Sequence, residues 1–202
     1  MTFPTLTRRH ALGALITAAC VPLHVAAAAA PAGELPGDSI YQLQLPLTDQ
    51  DGQPFELASA RGAPVLVSMF YSSCEMVCPM IFETLALTLK ALAPAERERV
   101  KVLMISFDPA RDSVAVLKRT AQAHRCDAHW TLARTDEANA RKVAALLGVQ
   151  YRRLASGEFN HSSTIELLDA QGRIAARTGT LGSVDPALLK ALRAAASQPA
   201  RG

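Results

Sequence analysis

Cys74 and Cys78 are the residues of this 202-residue chain whose types and spacing most plainly allow chemistry. Glu75-Met76-Val77 separates them and Pro79 follows at once, giving the pattern C-x-x-x-C-P. If the segment is helical, positions four apart share a face and both sulfurs can meet one ion. If it is a loop, Pro79 is the first helical residue, where its missing N–H costs nothing, and it pushes Cys78 toward an extended conformation. In both arrangements the sulfurs lie near a helix N-terminus, whose partial positive charge favours thiolate over thiol. Thiolate is the form that binds metal and attacks disulfides. Glu75 opposes this, because an adjacent carboxylate disfavours a second negative charge. The bland alternative is a stabilising disulfide, but it would close a tiny loop, and the entropic gain grows with loop length.

The elements on either side place the pair where a strand gives way to a helix. Pro64 to Tyr71 reads PVLVSMFY, a nearly continuous apolar run suited to a buried central strand. Beyond the cysteines, Ile81, Leu85, Thr88, Leu89 and Leu92 fall on one helical face. Val100 to Phe107 is a second buried strand, and Asp112-Ser113 caps a helix carrying Val114, Leu117 and Ala121. Trp130 to Ala133 is a short strand, and Thr135 starts a helix that ends at Gly148. Ser163 to Leu168 and Arg173 to Thr178 are strands joined across Asp169-Ala170-Gln171-Gly172, a hairpin signal, and Asp185-Pro186 opens a last helix. Upstream, Ile40 to Leu47 alternates as a half-exposed strand, and the Asp51-Gly52 turn predicts a hairpin through Phe55 to Leu57. This order predicts an α/β fold with a central mixed sheet, mostly parallel and flanked by helices on both faces. An antiparallel hairpin lies at its end and an N-terminal hairpin extends it. Ligands in such sheets sit where strands end, and Cys74 follows the end of a central strand.

His161 lies in Phe159-Asn160-His161-Ser162-Ser163, just before the strand that starts near Thr164. A lone histidine in a polar loop is more often solvated than ligating. The predicted architecture resembles a thioredoxin-like fold, however, and there the loop entering this late strand lies beside the cysteine loop. Two thiolates and one imidazole make a soft set suited to Cu(I).

Three stretches carry a closer likeness: Phe70-Tyr71-Ser72-Ser73-Cys74 with Cys78-Pro79; Ser106-Phe107-Asp108-Pro109-Ala110-Arg111-Asp112-Ser113; and His161 before a strand and hairpin. By these the chain resembles the Sco/SenC family of copper chaperones for cytochrome c oxidase, over about residues 40–195, nearly all of the chain beyond the leader. The resemblance implies that Cys74, Cys78 and His161 are the copper ligands and that Cys74 and Cys78 form a redox-active disulfide pair. It implies a client, the copper-receiving subunit of the oxidase with its dinuclear copper centre, and as further partners another copper chaperone or a thiol reductase. Many members carry Pro-Asp after the first cysteine, where this chain has Glu75-Met76.

Other residues of the right type are weighed beside these. Asp108 either faces the metal site or serves as a turn carboxylate before the helix at Ser113, the commoner use. Met76 carries a soft thioether that can approach copper, although packing or partner contact is the commoner use. His124, Cys126 and His129 superficially suggest zinc, but a structural zinc site needs four ligands and no second cysteine pair lies nearby.

Composition bounds the rest. Length and a half-hydrophobic composition suit one domain, residues 40–198, with a short appendage. Arg8 and Arg9, the apolar run Ala11 to Leu23 and the small residues from Ala26 to Ala32 read as an export signal over residues 1–32. A Pro/Gly-containing linker covers residues 33–39. The Thr7-Arg8-Arg9 start resembles a twin-arginine signal, Cys20 raises a lipoprotein alternative, and an uncleaved membrane anchor is a third. The expected location is the periplasm, free or anchored at the membrane. Without the leader the chain carries 19 basic and 18 acidic residues, which argues against a broad nucleic-acid surface. The chief rival to a metallochaperone is an exported thiol-disulfide oxidoreductase that reduces the oxidase's cysteines or senses redox state. Such enzymes usually carry C-x-x-C, and the extra residue alters loop geometry and potential. A peroxiredoxin fits less well, since Tyr71 stands where its threonine would.

Overall fold

The structure, a computed structural model, describes residues 33–197 besides Met1. The predicted leader, with Arg8, Arg9 and Cys20, lies outside the described residues, and so does residue 198 at the predicted domain end. The strands are β1 (Pro46–Asp49), β2 (Pro54–Glu56), β3 (Val65–Phe70), β4 (Lys101–Ser106), β5 (Trp130–Arg134), β6 (Tyr151–Arg153), β7 (Phe159–His161), β8 (Ile165–Leu168) and β9 (Ile174–Thr178). The helices are α1 (Val77–Lys90), α2 (Pro94–Arg97), α3 (Val114–Ala123), α4 (Glu137–Leu147) and α5 (Pro186–Ser197). Among the described residues, no helix is long and apolar enough to cross a membrane.

Among the described residues, seven strands form one sheet in the order β2-β1-β5-β4-β3-β8-β9, and β6 pairs only with β7. β3, β4 and β5 run parallel. Every other neighbour is antiparallel, so the sheet is mixed rather than mostly parallel. All six residues of β3 are buried, as are five of the six in β4. That is the signature of strands covered on both faces. α1 packs on β3, α3 on β5 and β1, and α5 on β8 and β9. Together these elements form the thioredoxin-like arrangement that the strand and helix order predicts.

Local chemistry sets the helix ends. Ser113 Oγ accepts the Val116 N–H and caps α3. Asp136, not Thr135, caps α4, its carboxylate taking the Asn139 N–H at 2.7 Å. The Thr135 hydroxyl donates instead to the Pro46 carbonyl at 2.8 Å and ties β1 to the end of β5. Gly148 ends α4 with φ +69°, as expected.

The strand expected over Ile40 to Leu47 begins only at Pro46, and Ile40–Gln42 form a 3-10 turn. Ser39 Oγ accepts the Tyr41 N–H at 3.2 Å, a local bond that competes with extended pairing. The Ile40 N–H donates to the Gly172 carbonyl at 3.0 Å. Tyr41 then packs on the β8–β9 turn so closely that a Cβ at Gly172 would lie 2.5 Å from its ring. Leu57, expected in the hairpin, likewise starts a 3-10 turn.

Glu166 sits on β8, wholly buried, with Oε2 unpartnered. Its other oxygen accepts from Arg177 Nε at 3.0 Å and the Thr164 hydroxyl at 2.9 Å. Burial outweighs both partners and raises its pKa from 4.5 to about 7. A group raised in the folded state contributes stability that is full below its unfolded pKa and lost as pH climbs through the folded one. Stability should therefore fall between about pH 4.5 and 7, by about 3 kcal/mol at most. Glu166→Gln should remove this loss and raise the melting temperature at pH 8. A variant that melts lower than the parent at pH 8 would mean that the Arg177 pair outweighs burial.

Candidate metal centre

β3 ends at Phe70, and the chain turns through Tyr71 to Cys74, whose N–H donates to the Tyr71 carbonyl at 3.3 Å. α1 starts at Val77, so Cys78 lies within its first turn and Pro79 follows it in the helix. Neither expected arrangement of the cysteine pair holds whole: Cys78 is helical, Cys74 precedes the helix, and Pro79 is its third residue rather than its first. Proline is tolerated there because the first N–H groups of a helix have no partner within it. No conventional side chain caps this helix. Cys74 Sγ takes that role instead, accepting the Cys78 N–H at 3.3 Å.

That geometry separates the two thiols. Burial raises the Cys74 pKa, but hydrogen bonds from Cys78, His161 and the Met76 backbone outweigh it and bring the thiol from 9.0 to about 7. Burial pushes Cys78 up, against a backbone bond from Tyr71, and the negative charges of Cys74 and Asp112 push it further. Cys78 is only 2% exposed, whereas Cys74 is half-buried. Both are unbridged, as is Cys126. Iodoacetamide at pH 7.5 should therefore modify Cys74 well before Cys78 and Cys126, at a rate that rises through about pH 7. Mass spectrometry of partly labelled protein reads the order, and equal labelling of all three would overturn it.

His161 is not in a loop. It is the last residue of β7, paired with Tyr151 across a small hairpin that stands apart from the main sheet. Its ring meets Tyr71 edge-on at 5.6 Å and Phe107 at 5.3 Å. Nδ1 lies 3.1 Å from the Ser162 carbonyl oxygen, which has no proton to give. In the tautomer protonated at Nδ1 this bond leaves the Nε2 lone pair free for a metal, the arrangement found in metal-ligating histidines. The Ser163 hydroxyl, 3.2 Å from the same nitrogen, suits the other tautomer, whose Nε2–H can donate to Cys74.

Two acidic residues hold these pieces together. Asp112 is fully buried beneath the cysteine loop, and its carboxylate accepts the Ser72 N–H and hydroxyl and the Ser106 hydroxyl. Asp108, 1% exposed, does not face the metal site; it takes Arg111, and Arg153 of β6 at 2.5 Å. Arg111 also donates to the Gly157 carbonyl at 2.8 Å, and Tyr71 Oη donates to Glu158 at 2.9 Å. The hairpin bearing His161 is thereby fastened to the loop after β4 and to the start of the cysteine loop.

The outcome is convergence. Ligand atoms of Cys74, Cys78 and His161 all lie within 4.8 Å of one another, from segments more than eighty residues apart. His124 is elsewhere, stacked on Phe82 at 3.9 Å, and His129 Nδ1 bonds the Val100 carbonyl. Burial raises Cys126 to about 12, so its thiol stays protonated. Asp112, expected as a helix cap with Ser113, instead holds Ser72 and Ser106, and neither this role nor the clamp built on Asp108 was read from the sequence. The available signal was Ser106-x-Asp108-x-x-x-Asp112, polar side chains crowded at the end of a buried strand, where each needs a partner.

Comparison with known proteins adds three findings. A family model described as SCO1/SenC matches residues 35–196. A curated relative, Protein SCO2, mitochondrial, of Saccharomyces cerevisiae, is 33% identical over 72 residues, 36% of this chain and 24% of its own. The chain spans between 24% and 40% of the curated relatives it matches. Among solved structures, Bradyrhizobium japonicum ScoI with copper bound is 28% identical, with a TM-score of 0.59 over 66% of this chain and 85% of that one. A SCO1/SenC family lipoprotein from Bacillus anthracis, 22% identical, shares the fold at a TM-score of 0.67, over 77% of this chain and 97% of its own.

Proposed function

The chain belongs to the SCO1/SenC family, and we propose that it is an exported carrier that binds Cu(I) through Cys74, Cys78 and His161. It would deliver that ion to the copper-receiving subunit of cytochrome c oxidase. The observation that carries this reading is the convergence of two thiols and one imidazole within 4.8 Å at the end of a buried strand. Soft sulfur with imidazole favours Cu(I), and no carboxylate enters the set. The ScoI structure with copper bound supports the same reading.

The three donors have different duties. Cys78 is buried at the floor, while Cys74 and His161 are half-exposed on the open side. A partner's ligands can therefore approach past Cys74 and His161, with Cys78 the last to let go. Metal must displace the Cys78 proton, so affinity should fall as pH falls. The first 32 residues would carry the chain out of the cytoplasm, to the periplasm or a membrane anchor facing it, where the oxidase subunit is reached. The chain is a carrier on this reading, not a catalyst.

One observation favours a second reading, that of a thiol-disulfide oxidoreductase. Cys74 titrates at about 7 and is accessible, while Cys78 is buried behind it, the division between attacking and resolving thiol. The test of the copper reading is metal analysis of the reduced protein with X-ray absorption at the copper edge. One Cu(I) with sulfur and nitrogen neighbours is expected, and copper without sulfur neighbours would overturn the assignment.

A further inference from the structure

Between the two cysteines stands Met76, 79% exposed although Tyr71 and Cys78 close by are buried. Cys74 and Cys78 belong to or pack on the hydrophobic core, and Met76 does not. It occupies the N-cap position of α1 without making a side-chain capping bond. A single exposed apolar residue is ordinary, so exposure by itself carries nothing. Its place does. Met76 lines the same cleft as Cys74 and His161, and it stands two residues from Cys74, directly ahead of the first residue of α1. Its Cα is thus fixed beside a metal ligand, while the unbranched side chain turns about three single bonds.

Charge narrows what such a side chain can do there. Cu(I) with two thiolates and a neutral imidazole carries one net negative charge. A further anionic donor would add repulsion, and the oxygen of the neighbouring Glu75 is hard. A thioether is soft and neutral, so it adds donation to Cu(I) without adding charge.

We propose that Met76 supplies a further sulfur to the copper held by Cys74, Cys78 and His161, closing over the ion on its open side and yielding when a partner's ligands arrive. The inference rests on the Cu(I) reading of the site. It assigns Met76 a part in retaining the ion and in selecting soft metals over harder ones.

The experiment uses reduced protein with ε-13C-methyl methionine, titrated with Ag(I) as a redox-silent substitute and then with Cu(I). The Met76 methyl resonance, identified by its loss in Met76→Leu, should shift at one equivalent of metal. X-ray absorption should count three sulfurs in the parent and two in Met76→Leu. The variant should release Cu(I) to a chelator about 10-fold faster, the low end of what loss of a supporting group costs a metal site. Its Zn(II) affinity should be unchanged. Met80→Leu, one turn along α1, 41% exposed and outside the cleft, should match the parent throughout. Metal bound by two sulfurs with an unmoved Met76 methyl would overturn the proposal while leaving the copper site intact. Failure of the parent to bind Ag(I) or Cu(I) at all would overturn both.

Discussion

Cys78→Ser should abolish tight Cu(I) binding by the reduced protein, and Cys74→Ser should do nearly the same. A thiolate is the donor that makes this set soft, and a serine hydroxyl stays protonated at neutral pH and is hard. Loss of an anionic thiolate donor, unlike that of a neutral thioether, should exceed the roughly 100-fold that loss of a supporting group can cost. The two variants should differ in a second way. Cys78 is 2% exposed in the core, so a serine there buries a hydroxyl and should cost on the order of 1–3 kcal/mol of stability. Cys74 is half-buried at the cleft, where a serine oxygen can still accept the Cys78 N–H and cap α1, so stability should hardly change. Competition with a Cu(I) chelator reads affinity, and thermal melts of the metal-free proteins read folding. Cys74→Ser then carries the decisive weight, because its loss of copper cannot be blamed on unfolding. A well-folded Cys74→Ser that keeps parental affinity would remove that sulfur from the site.

The parts of this molecule legible in its sequence are those set by local pattern. Val65–Phe70 and Lys101–Ser106 announce themselves as buried strands through nearly continuous apolar runs, and Pro186 and Gly148 mark helix ends. The cysteines could be placed because the strand and helix on either side are both strong signals. The failures share one cause, the dominance of distant partners over local pattern. Ile40 alternates like a strand, yet Ser39 and the Gly172 carbonyl bend the segment into a turn. β6 and β7 hold three residues each, and Arg152, Arg153 and Asn160 give them no apolar period. They form a hairpin because Asp108 and Arg111, some forty residues earlier, clamp its arms and tip. His161 therefore looked like a loop residue, although its neighbourhood with the cysteines was legible through the resemblance. For Asp112 the crowding of polar side chains after β4 signals that a partner is needed but not which one, because its partners Ser72 and Ser106 come from two different strand ends.

His161→Ala should separate copper handling from thiol chemistry. The imidazole is one of the three converging donors, so its loss should weaken Cu(I) binding substantially and impair oxidase assembly under limiting copper. Both thiols remain. Backbone pairing of β7 with Tyr151 is untouched, and the Arg153–Asp108 pair still fastens the hairpin. Cys74 loses one of several hydrogen bonds that lower its pKa, so its thiol should rise somewhat while the Cys78 N–H continues to hold it down. Dithiol exchange runs on thiolate and leaving-group sulfur and should be slowed only modestly near pH 7, with its pH profile displaced to higher pH. Two assays on this one variant decide between the readings: oxidase activity in cells grown on limiting copper, and turnover of a disulfide substrate in vitro. A copper carrier loses the first and keeps the second. Normal oxidase assembly in His161→Ala, together with its loss in Cys74→Ser, would instead assign the cysteine pair to disulfide reduction, with the imidazole serving to tune Cys74 rather than to hold an ion.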